Sequence, residues 1–267
     1  MTAPTLLTRV VPQLPRAWRG KYLVERNVLV TKTFWPVLLS GFFEPVFYLF
    51  AIGVGIGKLA GDVEVAGVAV PYAAFVAPAM LASSAMNGAI YESTNIFFKL
   101  KFGKVYDGVL ATPLQPTDVA SGEIAWALAR GGAYSVAFVL VMAVMALIQS
   151  PWGVLAIPAA LLIGFAFSAV GVAATTYMRT WQDMDLVTLV TLPLFLFSAT
   201  FYPIDLYPPA IQALTWLSPL FHGVELVRGL TLGILEWTML INVAVLVFMG
   251  VVGWRVASRR IGELLLK

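Results

Sequence analysis

Asp183-Met-Asp185 sets two carboxylates one residue apart, the beginning of a hard-cation site. Calcium or magnesium needs further oxygen ligands, and the pair opens an apolar run, where acidic groups favourably cap a helix N-terminus. The cap is the better reading. Ser218 and His222 have the spacing of a serine–histidine pair on one helix face, but no glycine-framed nucleophile motif surrounds that serine. Gly53-Val-Gly-Ile-Gly-Lys58 resembles a phosphate loop only superficially. A Walker loop needs glycine where Ile52 stands and Ser or Thr where Leu59 stands. Gly53 and Gly57 read instead as a small-residue helix contact. The sequence holds no cysteine and one histidine, which excludes disulfides, thiolate chemistry and any two-histidine metal site within the chain.

The remaining chemistry is that of polar groups in an apolar setting. Of the 267 residues, 60% are hydrophobic and 12% charged, against about 45–50% and about 25% in globular chains. Mean hydropathy is +0.87. A chain this apolar cannot cover a water-facing surface, so soluble enzymes and disordered proteins are excluded and a polytopic membrane protein remains. The net charge of +3 does not signal nucleic acid, because the basic residues gather beside hydrophobic spans.

A hydrocarbon core of about 30 Å needs roughly 20 apolar residues per helix. Six segments qualify: 33–57, 71–97, 118–148, 154–178, 185–201 and 237–257. Segment 202–236 is too apolar for an ordinary loop and is broken by Pro203, Pro208, Pro209 and Pro219. It is expected to form short helices dipping into the membrane from outside, which is tolerated where protein or a wet cavity covers them. Arg9, Arg16, Arg19, Lys21, Arg26 and Lys32 precede the first span. Lys99, Lys101 and Lys104 follow the second, Arg179 the fourth, and Arg255, Arg259, Arg260 and Lys267 the last. Fourteen of the seventeen cations therefore lie on one side if both termini are cytoplasmic.

Charged groups inside a span are costly, about 2.5–3.5 kcal/mol on insertion scales. Glu44 lies about 16 Å into the first span and Arg130 about 18 Å into the third, both counted from the cytoplasmic side. Either they pair or jointly line a polar path, or each faces its own water-filled gap. Ser83, Asn87 and Tyr91 form an i, i+4, i+8 stripe in the second span, with Ser84, Glu92 and Asn95 beside it. The stripe is either the wall of a translocation cavity or a helix–helix hydrogen-bonding face. The second reading is preferred for Ser83 and Ser84, with Asn87 left open. His222, Glu225 and Arg228 recur at i, i+3, i+6 near the outer surface. They are a surface helix pair worth a few tenths of a kcal/mol, or a polar gate that meets a substrate headgroup.

Two elements outside the spans carry amphipathic patterns. Residues 15–32 are expected to form an interfacial helix, with Trp18, Tyr22 and Leu29 on one face and Arg19 and Arg26 on the next. No apolar h-region follows the N-terminal basic residues, so they do not read as a secretory signal. The loop 98–117 holds a short helix with Val105, Tyr106, Val109 and Leu110 apolar, ending at Pro113 and Pro116. An apolar-faced helix in the cytoplasm calls for a protein partner or lies flat on the membrane.

These residues together resemble the type-2 ABC exporter permeases, in the branch of the lipo-oligosaccharide (nodulation-factor) exporters with the drug-efflux permeases nearby. The resemblance is carried by Phe43-Glu-Pro-Val-Phe-Tyr-Leu49, Phe75-Val-Ala-Pro78, Ser84-Ala-Met-Asn87, Tyr91-Glu-Ser-Thr94 and Lys104-Val-Tyr-Asp-Gly-Val-Leu-Ala-Thr-Pro-Leu114. Gly122-Glu-Ile-Ala-Trp126, Phe201-Tyr-Pro-Ile204 and Leu217-Ser-Pro-Leu-Phe-His-Gly-Val-Glu-Leu-Val-Arg-Gly229 complete it. It implies an all-α polytopic membrane protein with six transmembrane helices, an N-terminal interfacial helix and an extracellular re-entrant helical hairpin before the last span. Residues 1–32 are then a cytoplasmic N-terminus, 33–257 the transmembrane domain and 258–267 a cytoplasmic tail. The loop helix, with Lys101, Lys104, Val105, Tyr106, Asp107, Val109 and Leu110, is implied to dock in a groove of a separate ATPase.

The resemblance further implies two ATPase chains, which hold ATP and magnesium, and a second permease copy, identical or not. The assembly would sit in the bacterial cytoplasmic membrane and export an amphiphile such as a lipid-linked saccharide, with no catalytic residue, metal or cofactor in this chain and no nucleic-acid partner. Candidate path or gate residues are Glu44, Asn87, Glu92, Arg130, His222, Glu225 and Arg228. A drug-efflux permease is the alternative. An ATP-independent secondary transporter is more distant, since it predicts inverted repeats with broken mid-membrane helices and no convincing internal repeat is found.

Overall fold

The computed structural model describes residues 18–32, 43 and 46–265. Helix α1 (Lys21–Thr31) precedes a π-helical run, Leu49–Ile56, and a short helix α2 (Gly57–Ala60). An antiparallel hairpin follows, β1 (Asp62–Val65) and β2 (Val68–Pro71), with Asp62 opposite Pro71 and Val65 opposite Val68. Its two-residue turn is Ala66-Gly67, both with positive φ, the mirror-image turn that matches strand twist. Pro71 then leads into α3 (Tyr72–Lys101).

Why α3 and α5 begin and end where they do is local chemistry. Lys99 and Lys101 stand in the last turn of α3, where cations complement the helix dipole. The chain turns through Gly103 and Lys104, the latter left-handed, into α4 (Val105–Leu110). Helix α5 (Pro116–Val144) opens with a capping box between Gln115 and Asp118 and with Pro116 at its first position. A 3-10 turn, Pro151–Leu155, runs into α6 (Ala156–Thr175). Helix α7 (Asp183–Leu196) is followed by a 3-10 turn at Ile204–Leu206, then α8 (Pro209–Leu217), α9 (Pro219–Leu232) and α10 (Thr238–Leu265).

Helix α6 is the hub, packed against α3, α5, α9 and α10. Its closest neighbour is α10: a Cβ on Gly253 would lie 2.8 Å from the backbone of Ala169 and Val170. Small residues that let backbones meet are the usual device for helix association in lipid. Gly53 abuts Ala73 more loosely, and a Cβ on Gly57 would only graze Tyr72.

Among the described residues, four helical segments are long and apolar enough to cross a membrane: Tyr72–Lys101, Pro116–Val144, Pro151–Thr175 and Thr238–Leu265. They match the second, third, fourth and sixth expected spans. Residues 33–42, 44 and 45 of the first expected span lie outside the described residues, and its second half leads into the π-helical run Leu49–Ile56. The fifth is realised as the 14-residue α7, about 21 Å long and so shorter than the hydrocarbon core. It includes Pro193, and none of its residues is buried within the chain. Segment 202–236 forms the two short helices α8 and α9, joined at Ser218, whose hydroxyl accepts from the Phe221 N–H and bonds Ser198 at 2.7 Å.

Candidate coupling site

Glu123 is 1% exposed, about two turns into α5. A buried carboxylate is expensive unless paired and hydrogen-bonded, and three other elements supply the partners. Oε2 accepts from Lys99 Nζ of α3 at 2.8 Å and from Asn27 Nδ2 of α1 at 2.9 Å. Oε1 accepts from the Tyr106 hydroxyl of α4 at 2.9 Å. Lys99 also donates to Asn27 Oδ1 at 3.1 Å. The junction is walled by Leu23, Ile96, Leu100, Val119, Ile124 and Ile261.

The sequence permits this junction through spacing and through a missing side chain. Leu23 and Asn27 are i, i+4 and face α5 together. They come that close because position 122 is glycine: a Cβ there would stand 2.7 Å from the Gly20 carbonyl and 2.8 Å from Leu23 Cβ. Arg19 Nη1 adds a bond to the Pro113 carbonyl at 2.9 Å, tying the entry of α1 to the end of the loop. Burial, and then the Glu123 carboxylate, push the Tyr106 hydroxyl well above its usual pKa. Tyr106 is therefore held as a hydrogen-bond donor.

The loop helix differs from expectation in what its apolar face does. Tyr106 is buried, and Val105, Val109 and Leu110 pack partly buried on the same cluster. Their apolar surface is spent inside the chain, so it argues neither for a partner nor for a membrane-lying helix. The outward face of α4 is formed by Lys104, Asp107 and Gly108. A Cβ at Gly108 would meet nothing, so this face presents bare backbone. Lys101 is half-buried at the end of α3.

Glu92 is a second buried carboxylate, paired with Arg130 Nη2 at 2.7 Å and accepting from Asn95 Nδ2 at 3.3 Å. Arg130 also lies 5.8 Å from the centre of the Tyr91 ring. The partner that the structure gives Arg130 is thus Glu92, and the expected Glu44 pairing lies outside the described residues. Asn87 and Tyr91 are exposed on the surface of the chain. Ser83 is buried, and its hydroxyl makes no hydrogen bond among the described residues, unlike the helix–helix bond expected of it.

His222 and Arg228 are buried rather than on a helix surface, and Glu225 is part-exposed. Arg228 donates to Glu225 at 2.6 Å, to the Ala199 carbonyl at 2.7 Å and to the Phe75 carbonyl at 3.3 Å, stacking 4.0 Å from the Phe75 ring. It staples α9 to the start of α3 and to the turn after α7. His222 faces Asn242 at 2.7 Å and the Trp216 carbonyl at 3.0 Å, so neither ring nitrogen meets Ser218. Asp183 accepts the backbone N–H groups of Arg179 and Thr180 at 2.6 and 3.1 Å. These bonds hold its carboxyl below the usual range and tie the turn that starts α7.

Sequence reading had singled out Tyr106, Glu92 and Arg130, but had assigned no part to Asn27, Lys99 or Glu123. The available signal was a glutamate where the polar start of α5 gives way to its apolar run, with Lys99 in the last turn of α3.

The described residues form a mostly helical bundle with four helices of membrane-crossing length, in which a short loop helix is bolted to two of them through a buried ion pair. The chain belongs to the ABC-2 type transporter family, whose model matches residues 20–232. It is similar to nodulation protein J of Sinorhizobium fredii, 30% identical over 213 residues that cover 79% of this chain and 78% of that protein. Nodulation protein J of Rhizobium leguminosarum bv. viciae is 30% identical over 220 residues, 81% of each chain. The inner membrane transport permease YadH of Escherichia coli K12 is 25% identical over 201 residues, 75% of this chain and 77% of that one.

Proposed function

We propose that this permease is the membrane half of an ATP-driven exporter, moving an amphiphile with a polar head, a lipid-linked saccharide in the first instance. Two separate ATPase chains drive it, each gripping the outward face of α4, and a second permease copy completes the path. In this reading the first expected span and α7 complete a set of six, α8 and α9 re-enter from outside, and both termini are cytoplasmic. The asymmetric distribution of lysine and arginine supports that orientation. The resemblance of the sequence motifs to the lipo-oligosaccharide exporters supports a saccharide-bearing cargo, and the efflux-permease alternative shares every other feature.

The observation that carries the reading is the Glu123 junction. A push on α4 is passed to α3, α5 and α1 together, because Tyr106, Lys99 and Asn27 all bond one carboxylate. Coupling requires that the partner's contacts differ between two states of such an element. Asn87 and Tyr91, polar and exposed on a span, support a path or a second copy on that face, since lipid would be a costly neighbour. The test is co-purification of the permease with a candidate ABC ATPase subunit. Gly108→Trp is expected to eliminate the ATPase from the complex. Wild-type recovery of the ATPase with Gly108→Trp and with Asp107→Arg would refute docking on this face.

A further inference from the structure

Between α7 and the rest of the bundle runs a groove of about 780 Å³. Its walls are almost wholly apolar: Ile90 of α3, Phe167 and Val170 of α6, Val190 and Leu194 of α7, and Met249 of α10. From Asp183 to Leu194, both on the wall, α7 rises about 16 Å. That is half of the roughly 30 Å hydrocarbon core, the depth of a single leaflet.

Cations stand at one end only. Arg179 lines the groove and is exposed; its guanidinium makes no hydrogen bond or salt bridge among the described residues, although its charge acts on Asp183 beside it. Arg260 follows Met249 by about three turns on one face of α10, and its guanidinium lies 4.4 Å from the ring of Tyr177, another groove residue. Its Nη1 donates to Glu263, while its Nε is buried without a partner among the described residues. The acidic groups nearby are mostly engaged: Asp183 by the Arg179 and Thr180 N–H groups and the Thr180 hydroxyl, Glu263 by Arg259 and Arg260. Asp185, exposed on the first turn of α7, is the one left open.

We propose that this groove seats one acyl chain of a glycerophospholipid of the cytoplasmic leaflet, with the lipid phosphate held by Arg179 and Arg260. An aliphatic chain is the occupant that apolar walls one leaflet deep accept. A guanidinium is the partner that a phosphate selects, through charge-assisted and bidentate bonds; Arg179 stands on the groove wall and Arg260 reaches it through its stack on Tyr177. The lipid is structural, seated between α7 and α6. The leaflet assignment rests on the orientation proposed above; the site itself does not depend on the ATPase reading.

The experiment washes purified full-length permease in neutral detergent, adds dioleoyl-phosphatidylglycerol or dioleoylglycerol, and counts retained lipid by native mass spectrometry. Wild type is expected to hold one phosphatidylglycerol and no diacylglycerol. Arg179→Gln, at an exposed side chain whose guanidinium makes no hydrogen bond or salt bridge among the described residues, is expected to weaken retention roughly tenfold, the worth of one charge-assisted bond. Val190→Trp, which fills the groove from an exposed position of α7, is expected to abolish it. Equal retention of both lipids, or retention unchanged in both variants, would overturn the proposal. So would quantitative disulfide-linked dimers of a Val190→Cys variant formed whether or not lipid is present, which would make a second copy the occupant. ATPase co-purification is scored separately, so the failure of either reading leaves the other legible.

Discussion

Glu123 concentrates in one carboxylate the bonds of three neighbouring elements, so the three donors do not contribute alike. Removing the Tyr106 hydroxyl deletes a bond to a charged acceptor, typically about 2 kcal/mol. Tyr106→Phe is expected to lose about that much stability in detergent unfolding while keeping the fold. Glu123→Leu leaves the Lys99 ammonium, 19% exposed, without its counter-ion. Its cost is expected nearer the roughly 3–5 kcal/mol of a broken buried pair, reduced by whatever the lysine recovers from water. The raised pKa of Tyr106 fixes the sign of a pH effect. A phenol whose folded pKa exceeds its unfolded value of about 10 contributes stability fully below pH 10, lost as pH rises through the folded value. The alkaline arm of the stability curve is therefore expected to be steeper in wild type than in Tyr106→Phe. At this scale the sequence placed Tyr106 on an apolar face but assigned that face to a partner or the membrane surface, and gave no sign that a glutamate seventeen residues on would meet its hydroxyl. Long-range polar partners leave no periodicity to read.

Four elements were legible to within a few residues at most ends, though the last runs on to Leu265 past the expected 257, because long apolar runs bounded by prolines, a capping box and terminal lysines leave few alternatives. Expected spans 71–97 and 118–148 became Tyr72–Lys101 and Pro116–Val144. Helix α1 was legible as amphipathic, with Trp18, Tyr22 and Leu29 on one face, but the residues through which it packs on α5 were not. Trp18 and Leu29 are exposed, and Leu23 and Asn27 pack, because the contact is set by the missing side chain of Gly122 rather than by bulk hydrophobicity. Gly122→Leu is accordingly expected to lever α1 from α5 and to raise amide hydrogen exchange across residues 21–31, leaving α6 and α10 protected. Unchanged exchange there would mean that α1 is held by something other than this close approach. The β1–β2 hairpin was missed, since its strands are only four residues each and its turn is Ala-Gly rather than Asn-Gly. The shortness of α7 was hidden in the same way: Pro193 and the turn that follows end the helix inside a continuous apolar run.

For the whole molecule, composition alone excluded a soluble protein, and the motif set pointed to the family to which the chain belongs. What pattern reading could not supply is mechanical: which of the many apolar and polar residues at the loop-helix end form one rigid joint. The central claim is that force on α4 reaches the spans through Glu123. It is tested most directly in proteoliposomes containing the permease and its ATPase, by measuring cargo-stimulated ATP hydrolysis in Tyr106→Phe, Glu123→Gln and the double variant. The account expects the ATPase to remain bound in all three while stimulation falls several-fold in each single variant. The double variant should be little worse than either, as residues of one joint are not additive. Full stimulation in every variant, or simple additivity of two independent losses, would contradict it.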